Sequence, residues 1–496
     1  MMNLRKRTRE PHVPSPNLPH LPYDVVAMIL SFLDIKQLAQ SAVVAKSFRD
    51  CLKLGQLLDF KQPIFKKLVR KRVYVPFVGR IIDQHKGPKI QSLKLWFDPI
   101  NTEEHWAMVA GWINKAAQKG VEEFDFDFYY GPQVFLLTDE IFQIKTLQIL
   151  RLSYCDIVLP EPETNFAVTG LPCLRVLSFG NMDIQNMTVV EAILKACSKL
   201  ETLELLHCFF PRYLKIDAWH LKNFKECKLV TCPKIVEVAV DAPNLMTLHY
   251  SGPMVVFKYT NFDKLTDCII DFKPNRVYYS IGVYKLDQLM YDMSNIEVLT
   301  TSSRLLEGLC PRGSHGENTI VNFFCFSKLK EIQLLMEGSR YCGLFAIASF
   351  LQKCPSVEKI HIHCRGWFRT DNVISRSSRP GGFTWVLQQQ FLVKRGIGPC
   401  YPNLKVVKLT GFRFAPHEMQ LLIHFLVTGL SLETVAIFLP SPRSVNGPFK
   451  FMDETRLNQY FRPAMASPKA RIRVFEHFQD KLFCPSKHPT KWHSRP

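Results

Sequence analysis

The chain has 496 residues, 47% of them hydrophobic and 22% charged, with 63 lysines and arginines against 44 aspartates and glutamates. That balance excludes a disordered polyelectrolyte and provides core for roughly two to four domains or one long repeat array. The net charge of +19 is spread over Arg5, Lys6, Arg7 and Arg9, a run Lys66–Arg72 and the last thirty residues. Solubility and local ion pairs account for it better than a nucleic-acid partner does, so nucleic acid is disfavoured. Fifteen cysteines, an odd number without a C-x-x-C pair, exclude a disulfide scaffold and a zinc site of ordinary spacing, and no cofactor or metal is expected. No apolar run reaches the ~18–20 residues needed to cross a bilayer, and Val25–Leu33 lacks the flanks of a signal peptide. No membrane partner is expected, and the protein is placed in the cytoplasm and/or nucleus, with Leu4–Arg9 readable as an import signal.

Residues 1–20 read as a disordered basic, proline-rich tail. Residues 21–60 open with Leu21-Pro22 and an acidic first turn at Asp24, both suited to a helix start. Val25, Ile29 and Leu33 recur every four residues, as do Val26 and Leu30, giving a wide apolar stripe. Asp34 is suited to cap a second helix through Leu38, and Ser41 a third carrying Val43, Val44 and Phe48. Three helices in so short a stretch bury little surface, and apolar residues on nearly every face imply a partner. Residues 61–87 read as a linker helix region.

From about residue 88 one pattern recurs, apolar residues at positions one, four and six, through a repeat solenoid at 88–400 and into the residues after it. Copies include Ile90-Leu93-Leu95, Val121-Phe124-Phe126, Leu147-Leu150-Leu152, Leu174-Leu177-Phe179 and Leu200-Leu203-Leu205. Later copies are Ile235-Val238-Val240, Leu245-Leu248-Tyr250, Leu329-Ile332-Leu334, Val357-Ile360-Ile362, Leu404-Val407-Leu409 and Leu432-Val435-Ile437. The best-formed copies lie at the spacing of leucine-rich repeats, with room for a helix between strands. Between Leu221 and Ile270 the units crowd together, which predicts a β-rich stretch without helices. Two segments, 302–320 and 365–400, read as loops, the second with a short helix at Phe383–Val393. Residues 401–440 form terminal repeats, and 441–496 a basic C-terminal segment.

The stretch 21–50 resembles an F-box, supplying Leu21, Pro22, Asp24, Ile29, Leu30, Ser31, Leu33, Leu38, Ser41, Val43, Val44, Lys46, Phe48 and Arg49 of that pattern, and departing from it at Ala45 and Phe48. Asp241–Leu245, DAPNL, and Lys195–Leu205, KACSKLETLEL, resemble segments of the plant F-box/LRR family, and Pro402–Phe412 resembles the start of its FBD region. The resemblance implies an α/β chain, a three-helix F-box followed by a leucine-rich-repeat solenoid with parallel strands on its concave face. It implies a substrate-recognition subunit of an SCF-type ubiquitin ligase, docking a Skp-type adaptor, and through it a cullin, by Leu21, Pro22, Val25, Ile29, Leu30, Leu33, Leu38, Val43, Val44 and Phe48. The solenoid would hold a protein target. By register the strand residues between core positions face the concave side, among them Trp96, Asp125, Asp127, Arg151, His249, Gln333, His361, His363, Lys408 and Phe438, which are the candidate target-binding set. The alternative is a basic solenoid acting outside ubiquitination on nucleic acid or an anionic small molecule.

No catalytic constellation stands out. His361 and His363 share one strand face while Cys364 points to the other, a poor metal set. Asp125 and Asp127, beside Glu123, make an acidic strip for a basic partner more simply than an acid/base pair. No Walker, Rossmann or G-x-S-x-G motif is present, nor RING-like spacing, so a non-catalytic adaptor subunit is expected.

Overall fold

The computed structural model describes residues 22–44, 50–61, 74–96, 103–128, 135–158, 168, 170–184, 188–273, 286–309, 324–336, 344–364, 400–440, 453–476 and 488. The chain divides into two compact units, Met1–Gln133 and Val134–Pro496.

The first unit begins with helices α1 (Tyr23–Ser31) and α2 (Ile35–Val44). The extended backbone of Pro22 sets the entry, and its carbonyl accepts from the Val25 and Val26 amides. Asp34 caps α2 as anticipated: its Oδ1 accepts from the Gln37 amide at 2.8 Å while Gln37 Oε1 accepts from the Asp34 amide at 3.3 Å. Ser41 does not start a third helix. It lies inside α2, its hydroxyl donating to the Gln37 carbonyl at 2.9 Å. The next helical segment among the described residues is a 3-10 turn at Asp50–Leu54. Ala27, Leu30, Leu38 and Cys51 form the core of this module, with Val26, Leu33 and Leu54 packed against it.

The unit continues through β1 (Leu57–Asp59), α3 (Tyr74–Asp83), β2 (Ser92–Trp96), α4 (Glu103–Gln118) and β3 (Glu123–Asp127). The three strands pair in parallel in that order, Leu58 beside Leu93 and Leu93 beside Phe124. The ladder therefore starts at Leu57, inside the stretch assigned to the helical module. Three residues with one buried leucine are too short to display the repeat pattern.

The second unit runs β4 (Phe135–Thr138), β5 (Ile149–Ser153), β6 (Cys155–Val158), β7 (Val176–Gly180), α5 (Thr188–Ala196), β8 (Thr202–Leu206), β9 (Tyr213–Asp217), β10 (Glu226–Val230), β11 (Glu237–Asp241), β12 (Thr247–Gly252), β13 (Val256–Asn261) and β14 (Asp267–Phe272). It then runs α6 (Leu286–Asp292), β15 (Val298–Ser302), α7 (Ser303–Leu309), β16 (Glu331–Leu335), α8 (Leu344–Leu351), β17 (Lys359–His363), β18 (Val406–Thr410), α9 (Pro416–Thr428), β19 (Thr434–Phe438), α10 (Glu454–Phe461) and β20 (Arg471–Phe475). Strands β5, β7, β8, β10, β12, β14 to β20 form one parallel sheet in that order. Its register aligns one core residue per strand: Leu150, Leu177, Leu203, Cys227, Leu248, Cys268, Leu299, Ile332, Ile360, Val407, Val435 and Ile472. All of them are buried. Each repeat closes its core only against its neighbours.

The crowded middle is β-rich, as its spacing predicts. With about twenty residues per repeat there is no length for a helix, and the return segment is a strand. These returns, β9, β11 and β13, form a second parallel sheet in the order β13-β11-β9. The copy Ile235-Val238-Val240 thus belongs to this outer sheet and not to the inner one. Leu214, Ile216, Val238 and Val240 are buried between the two layers. Tyr250 crosses between them, its ring meeting Phe257 at 5.4 Å edge-on and its hydroxyl donating to the Pro253 carbonyl at 2.6 Å.

The turn from inner to outer strand repeats one device. Tyr154, Asn181, His207 and Thr231 each follow an inner strand with φ between 51° and 57°; the first three amides donate to the last residue of the next strand, and that of Thr231 to Ser251, the last but one of its strand. Buried cysteines follow this turn at Cys208 and Cys232, whose thiols donate to Phe179 and Leu205 carbonyls one repeat back. Burial pushes these thiols up to about 11 and about 12, so they pack and do not react.

Two readings change. Ser303–Leu309, expected as loop, is helix α7, while 310–323 and 365–399, including Phe383–Val393, lie outside the described residues. The basic segment 441–496 contains α10 and β20, so the ladder extends one strand past residue 440. Arginines alternate with Ile472 and Val474 there, and their charge disguises a strand. Asp453 caps α10 through the Arg456 amide, and Asn458 binds both backbone groups of Ile472 at 2.8 Å. Among the described residues no helix is long and apolar enough to cross a membrane.

Gly170 marks a close approach. A Cβ there would lie 2.4 Å from the Gln143 carbonyl carbon and 2.5 Å from the Phe142 oxygen. Backbone cannot yield as a side chain can, so Gly170→Ala is expected to destabilise the second unit by about 1–3 kcal/mol or more, read by its urea midpoint.

Candidate docking and recognition surfaces

Helix α1 has two apolar faces. Ala27 and Leu30 turn inward, where burial of a leucine contributes about 1.5–3 kcal/mol. Val25, Met28, Ile29 and Phe32 turn outward at 40%, 65%, 54% and 57% exposure. Their spacing of three, one and three residues makes one continuous stripe. Val43 on α2 adds a further apolar side chain at 86% exposure, and Pro22 is exposed ahead of α1.

Of the residues expected to dock an adaptor, Pro22, Val25, Ile29 and Val43 are thus exposed. Leu33 is half-buried against the module's core. Leu30 and Leu38 are interior residues, at 9% and 0% exposure, and hold the module together. Leu21 and Phe48 lie outside the described residues, as does the side chain of Val44. Met28 and Phe32 escaped the sequence reading, although their i+3 and i+7 relation to Val25 is a detectable signal.

The concave rows follow from the strand register. In the first unit, Lys94 stands beside Asp125 and Trp96 beside Asp127, all half-buried. Asp125 accepts from Lys61 Nζ at 2.8 Å, and Glu123 pairs with Lys94 at 2.8 Å. In the second unit the central row reads Arg151, Ser178, Glu204, Lys228, His249, Ile269, Thr300, Gln333, His361, Lys408, Ala436 and Arg473. Its first strands are open: Arg151, Glu204 and Lys228 are half-buried, and Lys228 bridges Glu204 and Glu226 at 2.8 and 2.9 Å.

Further along, the face is closed. His249, Gln333, His361, Lys408 and Phe438, all expected to be solvated, are exposed by only 1–4%. His363 is half-buried, its Nδ1 2.6 Å from the Thr410 hydroxyl. Lys408 places its ammonium 4.9 Å over the Phe438 ring, which stacks on Phe475 at 4.9 Å. Thr300, fully buried, meets His488 Nδ1 at 2.7 Å, a contact across 188 residues of chain. A residue of the C-terminal stretch therefore sits on the concave face.

A family model described as "At1g61320/AtMIF1, LRR domain" matches residues 81–443, and an F-box domain model matches 18–58. The chain belongs to this F-box/LRR family. It is 26% identical over 424 residues to the Arabidopsis thaliana FBD-associated F-box protein At1g61320, covering 85% of this chain and 88% of that one. It is 25% identical to the putative FBD-associated F-box protein At1g61330 of the same plant, covering 84% and 90%. The Arabidopsis F-box/LRR-repeat protein At3g59200 is 24% identical, covering 96% and 91%. The F-box/LRR family is of the non-catalytic adaptor type, and F-box domains generally bind Skp-type adaptors. The F-box match ends at residue 58, inside β1, and the LRR match begins at 81, in α3.

Proposed function

We propose that this protein is the substrate-recognition subunit of an SCF-type ubiquitin ligase. The observation that carries the reading is the outward stripe Val25, Met28, Ile29 and Phe32 on a helix whose opposite face already fills the module's core. A helix exposing four large apolar residues in a row has a surface suited to a partner. In an F-box that partner is the Skp-type adaptor, which joins the chain to a cullin. The solenoid then holds a target protein near the conjugating enzyme, and the contribution to catalysis is proximity. The chain supplies no chemistry of its own, and its place is the cytoplasm and/or nucleus, which a fluorescent fusion with and without Leu4–Arg9 would test. For target contact the accessible candidates are Trp96, Asp125 and Asp127 in the first unit and Arg151 and His363 in the second. Burial removes His249, Gln333, His361, Lys408 and Phe438 from direct reach.

The test is capture of a recombinant Skp-type adaptor by the full chain. Ile29→Asp combined with Phe32→Asp is expected to weaken capture more than about 30-fold, since losing one buried interface anchor costs about 2 kcal/mol or more. Both side chains are exposed in the free chain, so the melting temperature should hold. Wild-type capture by the double variant would end this reading. Strongly salt-dependent binding to nucleic acid without adaptor capture would favour the alternative of a basic solenoid working outside ubiquitination.

A further inference from the structure

Strands β9 and β11 pair in register, with Tyr213 beside Glu237, Lys215 beside Ala239 and Asp217 beside Asp241. These six side chains form the outward face of the outer sheet. The residues that alternate with them, Leu214, Ile216, Val238 and Val240, fill the space between the two layers. Helix α5 flanks β9, its Leu194 carbonyl accepting from His220 Nε2 at 3.2 Å, and it brings Glu191 to the side of this face. A groove of about 750 Å³ lies over the two strands, lined by all six outward residues together with Glu191 and Trp219. At the middle of β11, Ala239 offers only a methyl group between longer neighbours, which leaves space above it.

Tyr213 and Trp219 are 64% and 63% exposed. Rings of this kind are enriched among the anchors of protein interfaces. The charge of the groove is opposite to that of the chain, whose net charge is +19. Glu191, Asp217, Glu237 and Asp241 line it with Lys215 as the one cation of the lining. Lys215 pairs with Asp217 at 3.3 Å, and Lys258 of β13 pairs with Glu237 at 2.6 Å. Asp241 accepts from the neutral Asn261 amide at 3.1 Å. Glu191 and Asp241 thus have no cationic partner among the described residues. Asp217 and Asp241 also stand side by side on strands about 4.8 Å apart, where like charges repel. A cation placed between them removes that repulsion.

We propose that this groove is a further recognition surface, which takes an arginine side chain from a basic loop of a partner protein. A guanidinium fits better than an ammonium. Its planar fork donates to two carboxylates at once, and its face lies well against an aromatic ring. The fork spans Asp217 and Asp241, and the exposed rings of Tyr213 and Trp219 supply the stacking surface. Glu191 attracts neighbouring cations of the same loop. Recognition is by side chains over the sheet face and involves no backbone pairing to β9. The surface uses no residue of the α1 stripe or of the concave row, and the proposal does not rest on adaptor docking.

The test uses the full chain and a labelled twelve-residue peptide of alternating arginine and glycine, followed by fluorescence anisotropy. A Kd of about 10–100 μM is expected, with the lysine counterpart of the peptide at least threefold weaker. Asp241→Asn and Trp219→Ala should each weaken binding at least tenfold. The melting temperature should hold in both, or rise in the first as the repulsion is relieved. Glu433→Gln removes the same charge at an exposed position ahead of β19, and binding should be unchanged. An equal loss in Glu433→Gln and Asp241→Asn makes the binding a general charge effect and overturns the site. Wild-type affinity in both Asp241→Asn and Trp219→Ala overturns it as well. Equal affinity for the lysine peptide overturns the arginine assignment. Absence of binding up to about 1 mM overturns the proposal as a whole. Binding that appears only after residues 1–20 are deleted assigns the groove to the chain's own basic tail and overturns the partner assignment.

Discussion

Leu203→Asp is expected to unfold the second unit, whereas Arg175→Ala should leave its melting temperature unchanged. Leu203 is fully buried between Leu177 and Cys227 in the aligned core row. An unpaired carboxylate there costs about 3–5 kcal/mol, a large fraction of the roughly 5–15 kcal/mol that holds a domain together. Because each repeat is closed by its neighbours, the loss breaks the stack in the middle. Arg175 immediately precedes β7 and is exposed, with a two-point pair to Glu201 at 2.9 and 3.1 Å. Such surface pairs contribute little against solvent and side-chain entropy. Thermal melts by circular dichroism check both, and an Asp variant that overlays the wild type would refute the register.

Stability should change little between pH 4.5 and 6.5, because two buried groups of α9 act in opposite senses. His424 is fully buried, with its Nε2 3.0 Å from the Tyr401 hydroxyl, and burial lowers it from 6.5 to about 3. The unfolded chain takes up this proton near pH 6.5 and the folded chain does not. The contribution is therefore complete above pH 6.5 and lost as pH falls toward 3. At about 1.4 kcal/mol per pH unit the loss reaches roughly 5 kcal/mol. Glu418, six residues earlier, works in the opposite sense. Its Oε2 accepts from the Arg413 and Ala415 amides at 2.8 and 3.0 Å, yet burial dominates and raises it from 4.5 to about 7. Here the folded chain holds a proton that the unfolded chain releases, so this contribution is complete below pH 4.5 and lost as pH rises through 7. Between pH 4.5 and 6.5 the two slopes offset each other. Urea denaturation across pH 4 to 8 should show a shallow profile in the wild type. His424→Gln should leave stability falling with rising pH, and Glu418→Gln should leave it rising. Parallel profiles in all three would contradict these assignments.

The repeat register was legible because its signal is local. Leu177 and Phe179, or Leu203 and Leu205, alternate within five residues, and a strand of fixed length must turn both to one side. The crowding of units between Leu221 and Ile270 was equally plain, since twenty residues cannot hold both a strand and a full return helix. The helical stripe of α1 showed that both faces are apolar. It did not show which face folds inward, because a period of 3.6 residues carries no label for core or partner. Only packing against Leu38 and Cys51 assigned Leu30 to the core and left Ile29, Met28 and Phe32 outside.

Charge hid β20, where Arg471 and Arg473 flank Ile472, and brevity hid β1. The larger difference concerns the concave face. Sequence register placed His249, Gln333, His361, Lys408 and Phe438 on it. Exposure is a property of what else reaches that face, and the contact of His488 with Thr300 joins residues 188 positions apart. No pattern within a repeat encodes such a neighbour. The sequence by itself thus determined the F-box module, the stacked parallel strands and the helix-free middle, all consequences of short-range periodicity. Tertiary structure alone decided which concave residues are closed and which apolar helix face is free, because each depends on segments that the chain brings together from far apart.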